Sequence, residues 1–325
     1  LNSLSKTGRR IVDTAFPIEN KFDELQKIRN NKNPVAFLSI QEGCDKFCSF
    51  CVVPYTRGSE YSRPVKDIIL EAKNLITQGA KEICLLGQNV NAYHGEYNNK
   101  TLSLDELIYE IANLEDVKRI RYMTSHPADM TEGLIKAHGN VEVLMPYLHL
   151  PVQSGDDKVL KSMNRKYTSS EYLRIIEKLR NARPDMVFSS DIIIGFPGET
   201  DQAFKNTLDL VGKVNYSQAY SFKYSRRPGT PGSIMKGQIA ESTKSERLMI
   251  LQEILYAQQL DFNKAFIGKS MEVLIERRKK NNQLVGKSPY MQAVHLLEDN
   301  YDIGDILNIK VFDADKNSLK GEVVQ

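Results

Sequence analysis

From Pro34 onward, short apolar runs alternate with segments whose apolar residues recur at helical spacing. Val35-Ala36-Phe37-Leu38-Ser39-Ile40 has the pattern of a buried strand. Ile68, Ala72, Leu75 and Ile76 then fall at i, i+4, i+7 and i+8, one face of an amphipathic helix that Gly79 is placed to stop. The same cycle predicts strands at 82–87, 118–123, 147–150, 187–194 and 219–224, with helices at 103–114, 131–138, 169–180 and 200–214. Six strands alternating with five helices imply parallel βα units and right-handed crossovers, an α/β body. Periodicity leaves a closed barrel, a partial barrel and an open sheet equally allowed. In each of them chemistry sits at the carboxyl ends of the strands.

The alternation ends at the Gly/Pro-rich segment 227–232, and a long helical pattern follows over 242–266, with Leu248, Leu251, Leu255 and Gln258 near one face. Five short strand patterns, at 271–276, 283–285, 292–297, 306–312 and 321–324, then predict a small β-barrel or sandwich. The opening residues, 1–33, are polar and charged with little periodicity, and the chain starts at Leu1 rather than Met.

Composition narrows the class. The chain has 325 residues, 41% of them hydrophobic, enough to bury a large core. No apolar run reaches the roughly 18 residues of a membrane span and no signal peptide is evident, so a cytoplasmic protein is expected. A net charge of +3 neither demands nor excludes a nucleic-acid partner. The cysteines are more informative, because three of the four fall within eight positions.

Cys44, Cys48 and Cys51, spaced C-x₃-C-x₂-C, lie directly after the first predicted strand, where they can converge on one soft-metal centre. Structural zinc, the natural rival, takes four closed ligands. Three ligands leave a position open, as catalytic metals require. Cys84, in the apolar strand Ile83-Cys84-Leu85-Leu86, is expected to be a buried core thiol. His126 and His149 are expected in core or active-site hydrogen bonds, and His94, His138 and His295 at the surface.

The cysteine motif, with Phe50 before its last member, resembles the radical S-adenosylmethionine (SAM) superfamily. Val53-Pro54-Tyr55-Thr56-Arg57-Gly58, Leu85-Leu86-Gly87-Gln88-Asn89-Val90-Asn91, Ser125-His126-Pro127, His149-Leu150-Pro151-Val152-Gln153-Ser154-Gly155, Met163-Asn164-Arg165 and Asp191-Ile192-Ile193-Ile194-Gly195-Phe196-Pro197-Gly198 resemble its methylthiotransferase family. Most similar is the branch acting on N6-isopentenylated adenosine beside the tRNA anticodon. The resemblance implies a partial (β/α)6 barrel whose Cys44, Cys48 and Cys51 hold a [4Fe–4S] cluster with SAM on the open iron. It places Phe50, Gln88, Asn89, Gln153, Ser154, Arg165, Asp191, Gly195 and Phe196 around SAM. Arg165 is the expected holder of the SAM carboxylate.

The C-terminal strands resemble the TRAM domain, a small RNA-binding barrel. Arg277, Arg278, Lys279, Lys280 and Lys287 would meet phosphates there, and Tyr290 would offer a face to a base. The expected division is a linker at 1–33, a radical SAM core at 34–232, a connecting helix at 233–261 and the TRAM-like barrel at 262–325. The family also carries a preceding domain with a second iron–sulfur cluster; no cysteine precedes Cys44, so a shortened protein is expected. The resemblance implies tRNA as partner, an electron donor for the cluster, no membrane and a monomer. The alternatives are methylthiolation of threonylcarbamoyl-adenosine or of a ribosomal protein, or a catalytically silent RNA-binding remnant.

Overall fold

A computed structural model describes residues 33–297 and 300–324; the expected linker lies outside them except for Asn33. The body carries six strands: β1 (Val35–Ser39), β2 (Glu82–Leu86), β3 (Arg119–Tyr122), β4 (Tyr147–His149), β5 (Val187–Ile194) and β6 (Gln218–Lys223). They run parallel in sequence order as two three-stranded sheets, joined where Ile120 bridges to Leu144. β1 and β6 remain at the two edges. The wall therefore closes only partway round, the partial (β/α)6 barrel that the family resemblance implies.

The crossover helices are α1 (Val65–Thr77), α2 (Leu104–Ala112), α3 (Glu132–Asn140), α4 (Ser169–Ala182) and α5 (Asp201–Val214). Their starts are written in the sequence. Ser103 with Glu106 and Thr168 with Glu171 form capping boxes at α2 and α4, and the Thr200 side chain accepts from the Ala203 N–H at 3.1 Å to open α5. Strand alternation then sorts the two faces. Ala36, Leu38 and Ile40 are buried against the helices, in one core with Ile68, Ile83, Leu107, Ile120, Phe188, Ile192 and Val211. Full burial of each large aliphatic or aromatic residue there stabilises the fold by roughly 1.5–3 kcal/mol. Phe37, Cys84 and Arg121 stand in register on the opposite, lumen-facing side.

Three local elements escape periodicity because they are short: helices Val53–Arg57 and Asp157–Ser162, and the hairpin His94–Tyr97 with Lys100–Ser103. That hairpin turns through Asn98 and Asn99, both at positive φ (51° and 63°), as a tight primed turn requires.

Beyond the body, α6 (Glu241–Lys264) leads to β7 (Ser270–Arg278), β8 (Leu284–Lys287), β9 (Ala293–Leu296), β10 (Ile306–Ala314) and β11 (Ser318–Val323). These five close into a barrel in the order β7-β8-β9-β11-β10 around Val273, Ile275, Leu284, Val294, Ile309, Val311 and Leu319. Two attachments fix this barrel to the body. Along α6, Leu251 and Leu255 are buried and Gln258 bonds the backbone of Tyr216 and Val211. At the amino ends of the strands, Arg119 donates to the carbonyls of Lys287 (2.8 Å) and Glu272 (3.1 Å). Arg121 donates to those of Pro289 (2.8 Å) and Ser288 (2.9 Å) and pairs with Glu82 at 3.1 Å. Both arginines are only 2% exposed.

Candidate functional site

The cysteine loop leaves the carboxyl end of β1. Gly43 sits at φ 79°, and a Cβ there would lie 2.1 Å from the Ser59 carbonyl oxygen, so only glycine lets the loop start so close to its return segment. The loop is tied on several sides. The Gly43 N–H donates to Gln88 Oε1 at 2.6 Å, and Gln41 Oε1 accepts from the backbone of Gln88 and Asn89. Asn164 donates to the carbonyls of Lys46 and Phe47. The Ser49 N–H donates to the Met163 carbonyl at 2.9 Å, while the Ser49 carbonyl accepts from the Gly232 N–H at 2.7 Å.

Cys48 is buried and takes a contact from Arg165 Nη1 at 3.5 Å; Cys44 and Cys51 are half-buried. Burial pushes the Cys44 thiol up to about 11, with further upward contributions from the charges of Cys48, Glu60 and Cys51; Cys51 is raised for the same leading reason. Thiols whose charges raise one another ionise together only against a cation, which iron would supply. Among the described residues no three His, Cys, Asp or Glu side chains converge closely enough for a single metal ion. A cubane needs no such convergence, because each thiolate meets a different iron. The donor set, three thiols and no fourth, fits a cluster with one open corner.

Around this loop, at the carboxyl ends of β2 to β6, lies a ring of buried polar atoms without hydrogen-bond partners. They are Asn89 Oδ1, Ser125 Oγ, His126 Nε2, Gln153 Oε1, Glu199 Oε2 and Tyr224 Oη. Gathered at one face, such atoms mark a place built for a polar ligand. Backbone strain gathers there too: Phe47, Thr124, Gln153 and Asn164 all have positive φ.

The residues expected around SAM divide into two groups. Asn89 and Gln153 carry ring atoms, and Asp191 stands 3.7 Å from His149. Gly195, at φ 74°, turns its N–H to Glu199 Oε1. The others hold protein. Gln88 holds the cysteine loop, and Ser154 Oγ faces Thr207 on α5. Phe50 and fully buried Phe196 pack with Val159, Met163 and Tyr224. Arg165 spends its donors on Cys48, the Pro151 carbonyl and Tyr167, so its guanidinium lies against the thiol rather than open to a carboxylate.

Several participants carry no motif spacing and escape a sequence reading. Buried Gln41 is one. Others are the Lys46–Asp129 pair at 2.6 Å with Asn89 on the second Asp129 oxygen, and Glu60, whose carboxyl burial pushes up to about 7. Buried Arg247 joins Glu199 (2.7 Å) and Asp201 (2.6 Å), which fastens α6 to the site.

Two histidines depart from expectation or sharpen it. His138 is buried rather than superficial, its Nε2 bonded to the Tyr122 hydroxyl at 2.6 Å, because α3 turns it inward between Arg183 and β3. Burial drives its pKa down to about 3 and that of His126 down to about 2, helped by Arg183 and by Arg165 and Lys46 respectively. Both rings stay neutral in the fold, while the unfolded chain protonates them below about pH 6.5. Stability is therefore complete above pH ~7 and falls from pH ~6 toward pH ~3, at up to roughly 1.4 kcal/mol per pH unit for each ring. Urea midpoints at pH 7 and pH 5 measure this; an equal slope in His138→Gln would remove His138 as the cause.

On the small barrel, Arg277, Arg278, Lys279 and Lys280 are exposed at the β7–β8 end. The other two expected RNA contacts are differently placed. Lys287 is half-buried facing the body, its ammonium bonded to the Met291 carbonyl at 3.1 Å. Tyr290, half-buried, packs against Phe262 and Phe266 with ring centroids 6.3 and 5.2 Å away.

The Radical SAM superfamily model matches residues 38–211 and the TRAM domain model residues 264–324. Curated relatives named tRNA-2-methylthio-N(6)-dimethylallyladenosine synthase are similar along nearly the whole chain. That of a Wolbachia endosymbiont of Brugia malayi is 53% identical, covering 99% of this chain and 74% of that one. That of Rickettsia felis is 53% identical over 100% and 74%, and that of Sphingopyxis alaskensis 51% over 98% and 72%. Among solved structures, the radical SAM methyltransferase TsrM from Kitasatospora setae shares the fold, with TM-score 0.50 and 17% identity over 62% of this chain and 38% of that one. With the cysteine loop at the carboxyl end of β1 and a TRAM barrel behind it, the chain belongs to the radical SAM family of tRNA-2-methylthio-N(6)-dimethylallyladenosine synthases.

Proposed function

We propose that this chain is the SAM- and RNA-binding portion of an enzyme that adds a methylthio group to C2 of N6-dimethylallyladenosine in tRNA. The single observation that carries the reading is the three-thiol loop facing a ring of unpartnered buried polar atoms, in a chain more than half identical to synthases so named. The working division is a core at 34–232, a connecting helix at 233–261 and an RNA-binding barrel at 262–325.

In that reading Cys44, Cys48 and Cys51 hold the cluster. Asn89, Gln153, Asp191 and the backbone at Gly195 meet SAM. Gln88, Ser154, Arg165, Phe50 and Phe196 set the loops that carry them. When bound, the cluster and SAM supply the one-electron chemistry that opens an unreactive C–H bond. The chain's own part is to bury the thiols, exclude water from the carboxyl face and place the base. Arg277, Arg278, Lys279 and Lys280 meet RNA phosphates, which makes affinity fall with salt. A second cluster in a preceding domain, a separate electron donor, a monomeric state and a cytoplasmic setting complete the picture.

Anaerobic reconstitution with iron and sulfide, then assay for 5′-deoxyadenosine, tests the core. SAM cleavage is expected; its absence from a cluster-loaded chain would leave an RNA-binding remnant. Modified-nucleoside analysis of a deletion strain tests the target. The 2-methylthio-dimethylallyl nucleoside should vanish, whereas a loss confined to threonylcarbamoyl-adenosine or a ribosomal protein would move the target there.

A further inference from the structure

Asp129 stands between the cysteine loop and the ring of unpartnered polar atoms. Its Oδ1 takes Lys46 Nζ at 2.6 Å and its Oδ2 takes Asn89 Nδ2 at 2.8 Å. Lys46 lies between Cys44 and Cys48 in the chain, whereas Asn89 follows β2. Asp129 is itself firmly held. It closes the single helical turn Pro127–Asp129, which the His126 ring caps by accepting from the Ala128 N–H at 3.2 Å. The Asn91 side chain and the His126 backbone exchange two hydrogen bonds of 2.8 Å, which tie that turn to the segment carrying Asn89. Asn89 is 1% exposed, its backbone N–H donates to Gln41 Oε1 at 3.0 Å, and its Oδ1 has no partner.

An ionised carboxylate only accepts hydrogen bonds. Asp129 therefore requires the Asn89 amide to turn its NH₂ toward Asp129 and its oxygen into the site, since the reverse would set oxygen against oxygen. An amide without such a partner can rotate half a turn and offer a donor instead. The fixed sense is what makes Asn89 an acceptor. We infer that Asp129 is a positioning residue, which fixes Asn89 Oδ1 as the acceptor for an N–H of the SAM amino group and ties that acceptor to the cysteine loop through Lys46. This rests on the function proposed above. Among the donors of SAM the amino group is the choice because Gln41, which takes the Asn89 N–H, also donates to the Gly43 carbonyl at 2.9 Å, at the start of the loop. The amino-acid end of SAM is the end that belongs beside the cysteines. Asp129 acts only through Asn89, because both of its oxygens are spent on protein.

The test is SAM binding to the iron-loaded chain, read by equilibrium dialysis without reductant so that SAM stays intact, with iron content measured alongside. Asp129→Asn is expected to keep its iron and to raise the Kd for SAM at least about tenfold, because the introduced amide lets Asn89 turn a donor into the site. Asn89→Asp alone should lose as much, since two carboxylates then face each other. The exchanged pair, Asn89→Asp with Asp129→Asn, again sets a donor against an acceptor and leaves a carboxylate oxygen toward SAM. It should return to within about threefold of the parent. For a SAM analogue lacking the amino group, the parent and Asp129→Asn should agree within about twofold. A residue that merely supports the fold predicts an equal loss for both ligands and no recovery in the exchanged pair. Either result overturns the positioning role, as does unchanged SAM affinity in Asp129→Asn or a loss of iron that the exchanged pair does not repair. If the iron-replete parent binds no SAM, the function proposed above falls and this role with it.

Discussion

Cys48→Ser is expected to fold normally and yet hold no cluster, with 5′-deoxyadenosine formation at background. The thiol is the most buried of the three, is met by Arg165, and sits between Phe47 and Ser49, whose backbone is pinned to Asn164 and Met163. Serine keeps the shape but replaces a soft thiolate by a hydroxyl that does not ionise beside iron. Iron content, visible absorbance and SAM cleavage should all be lost, while the urea midpoint stays within about 1 kcal/mol of the parent. Cys84→Ser is the matched control, because Cys84 lies in β2 on the lumen face, and it should retain iron. Arg165→Met should weaken cluster retention by roughly 10- to 100-fold, as loss of outer-shell partners does elsewhere. An iron-replete Cys48→Ser protein that still cleaves SAM would refute the ligand assignment.

Arg121→Met carries the second large effect, this time on stability. Removing the guanidinium leaves the Glu82 carboxylate, 4% exposed, as an uncompensated buried charge, and strips the Ser288 and Pro289 carbonyls of their donors. Breaking a buried pair from one side costs about 3–5 kcal/mol. The two barrels should then melt in separate calorimetric transitions where the parent melts in one. Adding Glu82→Gln to Arg121→Met should recover part of the loss, because the stranded charge goes with it. A single transition with a loss under about 1 kcal/mol would show that α6 and Arg119 hold the small barrel in place without Arg121.

Much of this arrangement is legible in the sequence, and the limits have physical causes. Strands and helices of the body follow from alternation and capping residues such as Ser103, Thr168 and Thr200, each acting within a few positions of itself. The cysteine loop is legible because its three cysteines fall within eight positions. What escapes depends on distant partners. Tyr290 carries an aromatic face suited to a base, but only the fold shows Phe262 and Phe266 against it. Arg165 has a fork suited to a carboxylate, but only the fold brings Cys48 and the Pro151 carbonyl within reach of it. His138 carries no local sign of burial, since the Tyr122 hydroxyl bonded to it comes from another element. Gln41, Asp129 and Glu60 are ordinary polar residues until three loops meet.

The backbone ties of Ser49 have a mechanical meaning. A half-barrel is a spring clip: two rows of three strands hinged at a single bridge, with β1 and β6 as free jaws. Ser49, carried by β1, grips Met163 on one side and Gly232, beyond β6, on the other. The cysteine loop is thus the clasp that holds the jaws at the carboxyl end. Whatever stiffens that loop therefore bears on how far apart the two jaws stand, because the backbone of one serine reaches both Met163 and Gly232.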